Sequence, residues 1–117
     1  MPPSIPERDW KYLRRIQPEM LAALCARINR RTKALLDAGG KSEHEIYADV
    51  FQHIETSDRI VAECFDDWRR SAIWLKIPLL RREGLLTDDH LANLSDDVHA
   101  LLERFRMLAG EDGEAEG

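Results

Sequence analysis

The chain has 117 residues, with 17 basic and 22 acidic side chains and a formal net charge of −5. This length fits one folded domain with its own apolar core, which needs neither disulfides nor a metal for stability. No run approaches the roughly 20 apolar residues that span a bilayer, and the first residues, MPPSIPERDW, lack the apolar segment of a signal peptide. We therefore expect a cytoplasmic protein with no membrane segment.

The charge is distributed unevenly along the chain. Residues 1–40 hold eight basic and four acidic side chains, residues 41–110 hold nine and fourteen, and residues 111–117 hold four acidic ones. Opposite net charges can neutralise each other across an interface within the chain or between two copies. The acidic total also weakens nonspecific attraction to nucleic acid.

The first third predicts two helices separated by a break. Pro6 suits the first turn of a helix, and Pro18 biases Gln17 away from helical dihedrals, so we expect a bend near Gln17. A second helix then runs from Pro18 to about Asp37. Gly39 and Gly40 follow its last periodic residue, where glycine commonly ends a helix.

The central stretch predicts one long helix over about residues 43–77. Ser42 and Glu45 have the spacing of a capping box at its start, and no Gly or Pro interrupts residues 41–77. At a rise of 1.5 Å per residue such a helix is roughly 50 Å long and must protrude or meet a partner. The alternative is a pair of helices divided at Thr56, Ser57 and Asp58. The side chains that share one seam of this helix are Tyr47, Phe51, Ile54, Asp58, Val61, Phe65, Trp68, Ala72 and Leu75.

Asp58 is the polar exception on that seam. It marks either a solvated kink in the helix or a device that selects one pairing register between two helices, as lone polar groups do in coiled coils. The sequence leaves both interpretations open.

The remaining chain predicts shorter helices. Gly84 closes a turn after Pro78, Thr87 and Ser95 are N-cap candidates for two helices, and Gly110 ends the last one. Residues 111–117 hold no large apolar side chain, so we expect a disordered acidic tail. The predicted fold is an all-α bundle over residues 1–110, organised on the long helix with short helices at both ends and the Pro18–Asp37 helix packed antiparallel to it.

The apolar surface between Tyr47 and Leu80 exceeds what one neighbouring helix covers. The segment SAIWLKIPLL is apolar almost all round, which is typical of a helix deep in a core or covered by a second chain. We favour the second chain, with tryptophans as anchors. The predicted interface residues are Phe51, Ile54, Phe65, Trp68, Ile73, Trp74 and Ile77.

Acidic side chains recur at helical spacings along the same stretch. Glu45, Asp49 and His53 lie four residues apart, Glu63 and Asp66 form a Glu-x-x-Asp pair, and carboxylates so spaced can hold a metal between helices. Together with the acidic start Glu43-His44-Glu45, the pattern resembles the all-α nucleotide pyrophosphohydrolases, although the adjacent glutamates of that family are absent. The resemblance implies a metal-dependent nucleotide hydrolase with Glu45, Asp49, Glu63 and Asp66 as its ligands. Charged pairs on a solvated helix face are the simpler interpretation.

A basic patch on the second helix is the only nucleic-acid candidate that we single out. Arginine suits phosphate, but aromatic side chains for base stacking do not interleave with the patch, so a solvated or salt-bridged face is favoured. Its members are Arg27, Arg30, Arg31 and Lys33.

No catalytic motif stands out, and Cys25 and Cys64 are expected to be buried, inert thiols. We therefore expect a non-catalytic helical module without a cofactor that forms a homodimer, with another protein as a possible partner. The alternatives are the metal-dependent nucleotide hydrolase and, third, a nucleic-acid-binding accessory protein.

Overall fold

The computed structural model describes residues 4–110 and contains five helices and no strand within that range. The predicted all-α class is confirmed. The helices are α1 (Glu7–Leu36), α2 (Glu43–Phe65), α3 (Ile73–Arg82), α4 (Asp88–Leu91) and α5 (Asp96–Leu108). The acidic tail, residues 111–117, lies outside the described residues. None of the described helices is both long enough and apolar enough to cross a membrane.

The predicted break near Gln17 is absent, because α1 continues through Pro18 for 30 residues. Pro18 is exposed, and the removal of one backbone donor is tolerated on that side. The opposite side of α1 holds four buried apolar side chains, spaced three or four residues apart. Two precede the proline and two follow it: Leu13, Ile16, Met20 and Leu24. Burial of this continuous face offsets the local cost of proline.

The predicted helix over about residues 43–77 is divided into α2 and α3. The break does not fall at Thr56–Asp58 either, because α2 continues through Ser57 to Phe65. The backbone becomes extended at Asp66 (φ −70°, ψ 152°), and Asp67 takes a left-handed conformation (φ 58°). Aspartate tolerates that region better than most residues, but its presence is not a specific stop signal.

The described chain falls into two compact units. The first comprises residues 4–17 and 67–110, and the second comprises residues 18–66. In the first unit α3 packs against α5 over buried aliphatic side chains that include Ile73, Ile77 and Val98. Arg70 forms hydrogen bonds with the segment before α1. Its Nε and a terminal guanidinium nitrogen donate to the Ile5 carbonyl at 3.1 and 2.7 Å.

The second unit is an antiparallel helical hairpin of residues 18–36 of α1 and the whole of α2. Gly40 takes a φ of 79° in the connecting loop, and the predicted capping box is present, with Ser42 and Glu45 bonded reciprocally at 2.8 and 3.1 Å. The hairpin brings His53 to the Ile28 carbonyl. Cys64 is buried as expected, whereas Cys25 is exposed, so the prediction of two buried thiols is wrong for Cys25.

Candidate interaction surface

Three large apolar side chains on α2 are exposed on one face of the helix. Tyr47, Phe51 and Ile54 are 67%, 57% and 43% exposed. Their spacing of four and three residues places them in one row, which we call the α2 stripe. The Tyr47 ring stacks on His44 with 6.4 Å between ring centroids and 22° between planes, so this end of the stripe is aromatic.

The outward direction of the stripe follows from the side of α2 that faces α1. His53 and Ser57 face α1 and help to line a cleft of about 200 Å³, the hairpin cleft. Because a helix turns by about 100° per residue, Ile54 lies about a quarter turn away from His53. The contact with α1 therefore leaves the stripe uncovered within the hairpin.

Within α2 the seam continues beyond the stripe and becomes more enclosed toward the end of the helix. Asp58 is exposed, Val61 is half-buried and Phe65 is buried. Asp58 lies within a continuous α-helix, so it does not mark an interruption of the helix. It places one carboxylate at the end of an exposed apolar row.

The seven predicted interface residues have three different environments. Phe51 and Ile54 are exposed, and Trp68 and Trp74 are half-buried. Phe65, Ile73 and Ile77 are buried by their own chain and offer little surface to a partner. The accessible apolar surface among the predicted residues is therefore concentrated on the α2 stripe, where Tyr47 adds to it.

The four carboxylates proposed as metal ligands do not form a metal site within residues 4–110. Glu45 accepts the Ser42 backbone N–H as part of the capping box. Asp49 accepts a hydrogen bond from Lys41 Nζ at 2.5 Å, and this bond, with the carboxylate charge, raises the pKa of Lys41. No group of three or more His, Cys, Asp or Glu side chains in this part of the chain is arranged to hold a metal ion, so Glu63 and Asp66 do not complete a site with them.

The predicted basic patch is exposed, and two of its arginines lie at the hairpin cleft. Arg27, Arg30, Arg31 and Lys33 all face solvent, and Arg27 and Arg31 line the cleft together with His53 and Ser57. No Phe, Tyr or Trp ring lines this cleft. The lining of this cleft therefore lacks the stacking platform typical of proteins that bind single-stranded nucleic acid.

Inside the hairpin cleft, His53 links the two helices. Its Nε2 lies 3.1 Å from the Ile28 carbonyl oxygen, so it donates there, and Nδ1 accepts from the Ser57 hydroxyl at 3.4 Å. Sequence reasoning assigned His53 to a face shared with Glu45 and Asp49 and missed this role. The spacing of His53 and Ser57, four residues apart, was the available signal.

No family of known proteins, no curated protein and no solved structure matches this chain.

Proposed function

We propose that this chain is a non-catalytic protein–protein interaction module that pairs with a second copy of itself through the α2 stripe. The observation that carries the proposal is the exposure of Tyr47, Phe51 and Ile54 in one row on a regular helix. Removal of apolar surface from water stabilises an association by roughly 25 cal/mol per Å². Aromatic side chains provide most of that area and are common at the centres of interfaces.

The stripe has the symmetry that an antiparallel homodimer requires. In a two-fold dimer the same surface of each copy meets itself, so residue i of one copy contacts residue j of the other and the reverse. An axis that passes between Phe51 and Ile54 pairs Phe51 with Ile54 of the second copy. The same register pairs Tyr47 with Asp58, and the phenolic hydroxyl then donates to the carboxylate.

This arrangement assigns Asp58 a role in selecting the register. A displaced register leaves the carboxylate against an apolar side chain, and desolvation of an unpaired charge is costly. The proposed location is the cytoplasm, because both cysteines are free thiols and one is exposed.

Analytical ultracentrifugation over a range of protein concentrations tests the proposal. We expect a concentration-dependent dimer for the natural chain and a loss of dimer for Phe51→Glu, which places a charge at the centre of the stripe. Met107→Glu is the matched control, because Met107 on α5 has the same 57% exposure and lies outside the stripe. A monomer at all concentrations, or equal weakening by both substitutions, contradicts the proposal.

A further inference from the structure

A second cleft lies entirely within the first unit. It has a volume of about 450 Å³, which is within the range of roughly 300–1,000 Å³ typical of small-molecule sites. One wall is the first part of α1, and the other is the end of α4. The residues that line this basic cleft are Arg8, Lys11, Tyr12, Arg15, Ala92 and Asn93.

Three cationic side chains of α1 converge on the basic cleft. Arg8, Lys11 and Arg15 are separated by three and four residues and therefore share one helical face. No acidic residue is among those that line the cleft. Lys11 forms an ion pair with Glu7 at 3.2 Å, but both side chains are more than 60% exposed, so this contact contributes little and is readily exchanged for a ligand.

Three of the polar groups of the cleft, those of Tyr12, Arg15 and Asn93, already have contacts within the chain. Asn93 Nδ2 donates to the Tyr12 hydroxyl at 3.2 Å and to the Asp89 carbonyl at 3.1 Å. The Arg15 guanidinium lies 5.1 Å from the centroid of the Tyr12 ring, within cation–π distance. Because these contacts are made within the chain, a ligand loses little binding free energy to the ordering of Tyr12 and Arg15.

The contact with Asn93 also fixes what Tyr12 offers to a ligand. The phenolic oxygen accepts the hydrogen bond from Asn93, so the phenolic hydrogen is directed elsewhere and can be donated to a ligand oxygen. Two guanidinium groups, one ammonium group and this hydroxyl form a set of donors suited to several anionic oxygens at once.

We propose that the basic cleft binds a small anion with two or more linked phosphate groups. A diphosphate offers more anionic oxygens to three separate cations than a single carboxylate or phosphate does. The Tyr12 ring has Arg15 over one face and meets His90 edge-on with 6.5 Å between ring centroids, so it offers a poor platform for stacked bases. The cleft is therefore suited to a polyphosphate group rather than to a nucleic-acid strand.

Isothermal titration calorimetry of the full chain with sodium pyrophosphate, at constant ionic strength, tests this proposal. We expect Arg8→Ala and Arg15→Ala each to weaken binding at least tenfold and Tyr12→Phe to weaken it severalfold. Arg59→Ala is the matched control, because Arg59 is an exposed arginine on α2 that is not among the residues lining the cleft, and its loss changes the net charge equally. Circular dichroism melting curves verify that each variant is folded.

Additional ligands distinguish the sources of the phosphate group. Equal affinity for pyrophosphate and ATP supports recognition of the polyphosphate alone, and tighter binding of ATP supports a nucleotide as its source. The proposal is overturned if pyrophosphate does not bind, if Arg59→Ala weakens binding as much as Arg8→Ala, or if a short oligonucleotide binds more tightly than either. Because no residue of the α2 stripe lines this cleft, failure of this test leaves the proposed dimer unaffected.

Discussion

The carboxylate of Asp9 is fully buried and joins segments that are 86 residues apart in the chain. One oxygen accepts the Ser95 backbone N–H at 3.0 Å, and the other accepts the Ser95 hydroxyl at 2.5 Å. Ser95 is the N-cap residue of α5, but its side chain caps no amide of that helix. Asp9 thus supplies the negative charge that the start of α5 favours.

Replacement of Asp9 by alanine is expected to lower the free energy of unfolding by about 2–4 kcal/mol, because it removes a buried carboxylate and leaves the half-buried donors of Ser95 without that partner. Asp9→Asn, which retains one acceptor oxygen, is expected to cost less. Urea denaturation measures both. The control is Glu7→Ala, an exposed carboxylate near the start of α1, with an expected cost below about 1 kcal/mol. Similar small losses for Asp9→Ala and Glu7→Ala would show that the buried contact is not stabilising.

The two thiols differ in access to solvent, since Cys25 is exposed and Cys64 is buried with 1% exposure. We expect a disulfide reagent to modify one thiol rapidly in the native protein and both after unfolding, because access limits the reaction of a buried thiol. Absorbance of the released thiolate measures the two phases. Cys25→Ala should remove the fast phase, and its persistence in that variant would contradict the assignment.

At the scale of secondary structure, the two adjacent glycines of the α1–α2 loop differ in backbone conformation. Gly40 has a φ of 79°, whereas Gly39 lies outside the left-handed region, and a methyl group added at either meets open space. Gly40→Ala is expected to lower the free energy of unfolding by about 1 kcal/mol through backbone strain. Gly39→Ala is the control and should have no cost or a small gain. Thermal melts of both variants measure the difference, and equal melting temperatures would refute it.

Helix starts and ends were predictable wherever the signal is local. The Ser42–Glu45 box, Thr87 and Ser95 lie at the starts of α2, α4 and α5, and Gly84 and Gly110 take positive φ just after α3 and α5. These residues act through hydrogen bonds and dihedrals within a few positions of themselves. The predicted helix break at Pro18 was wrong, because burial of Leu13, Ile16, Met20 and Leu24 outweighs the local cost of proline. The predicted continuation of the central helix through Asp66 was also wrong, because no strong helix breaker marks the end of α2 in the sequence.

At the scale of the whole molecule, Asp58 lowers the stability of the proposed dimer and selects one pairing register between its two copies. Asp58→Leu extends the α2 stripe by one apolar side chain, so we expect a higher melting temperature and tighter association. We also expect a mixture of oligomer sizes, because the polar group that selects one register is removed. Ultracentrifugation and thermal melts measure these effects, with Asp58→Asn as a control that keeps a polar group.

A large loss of stability in Asp58→Leu without a change in oligomer size contradicts this role. That outcome would show that the carboxylate stabilises the single chain itself.

The candidate surfaces differ in how far they are visible in the sequence. The α2 stripe lies on one helix with a spacing of four and three residues, so the periodicity alone is enough to identify Phe51 and Ile54. The basic cleft is not visible in this way, because Tyr12 and Asn93 are 81 residues apart and their hydrogen bond exists only in the folded unit. Likewise, the spacing of Glu45, Asp49, Glu63 and Asp66 carries no information on whether the four carboxylates converge.

The amino-acid sequence by itself determined the all-α class, the Ser42–Glu45 capping box and the amphipathic face of α2, since each depends on periodicity or on contacts between near neighbours. Only the tertiary structure decided that α1 passes through Pro18, that α2 ends at Phe65, and that Ile73 and Ile77 are covered while Tyr47 and Phe51 are not. Burial depends on which distant segments meet, and that free energy is large enough to override local helix preferences.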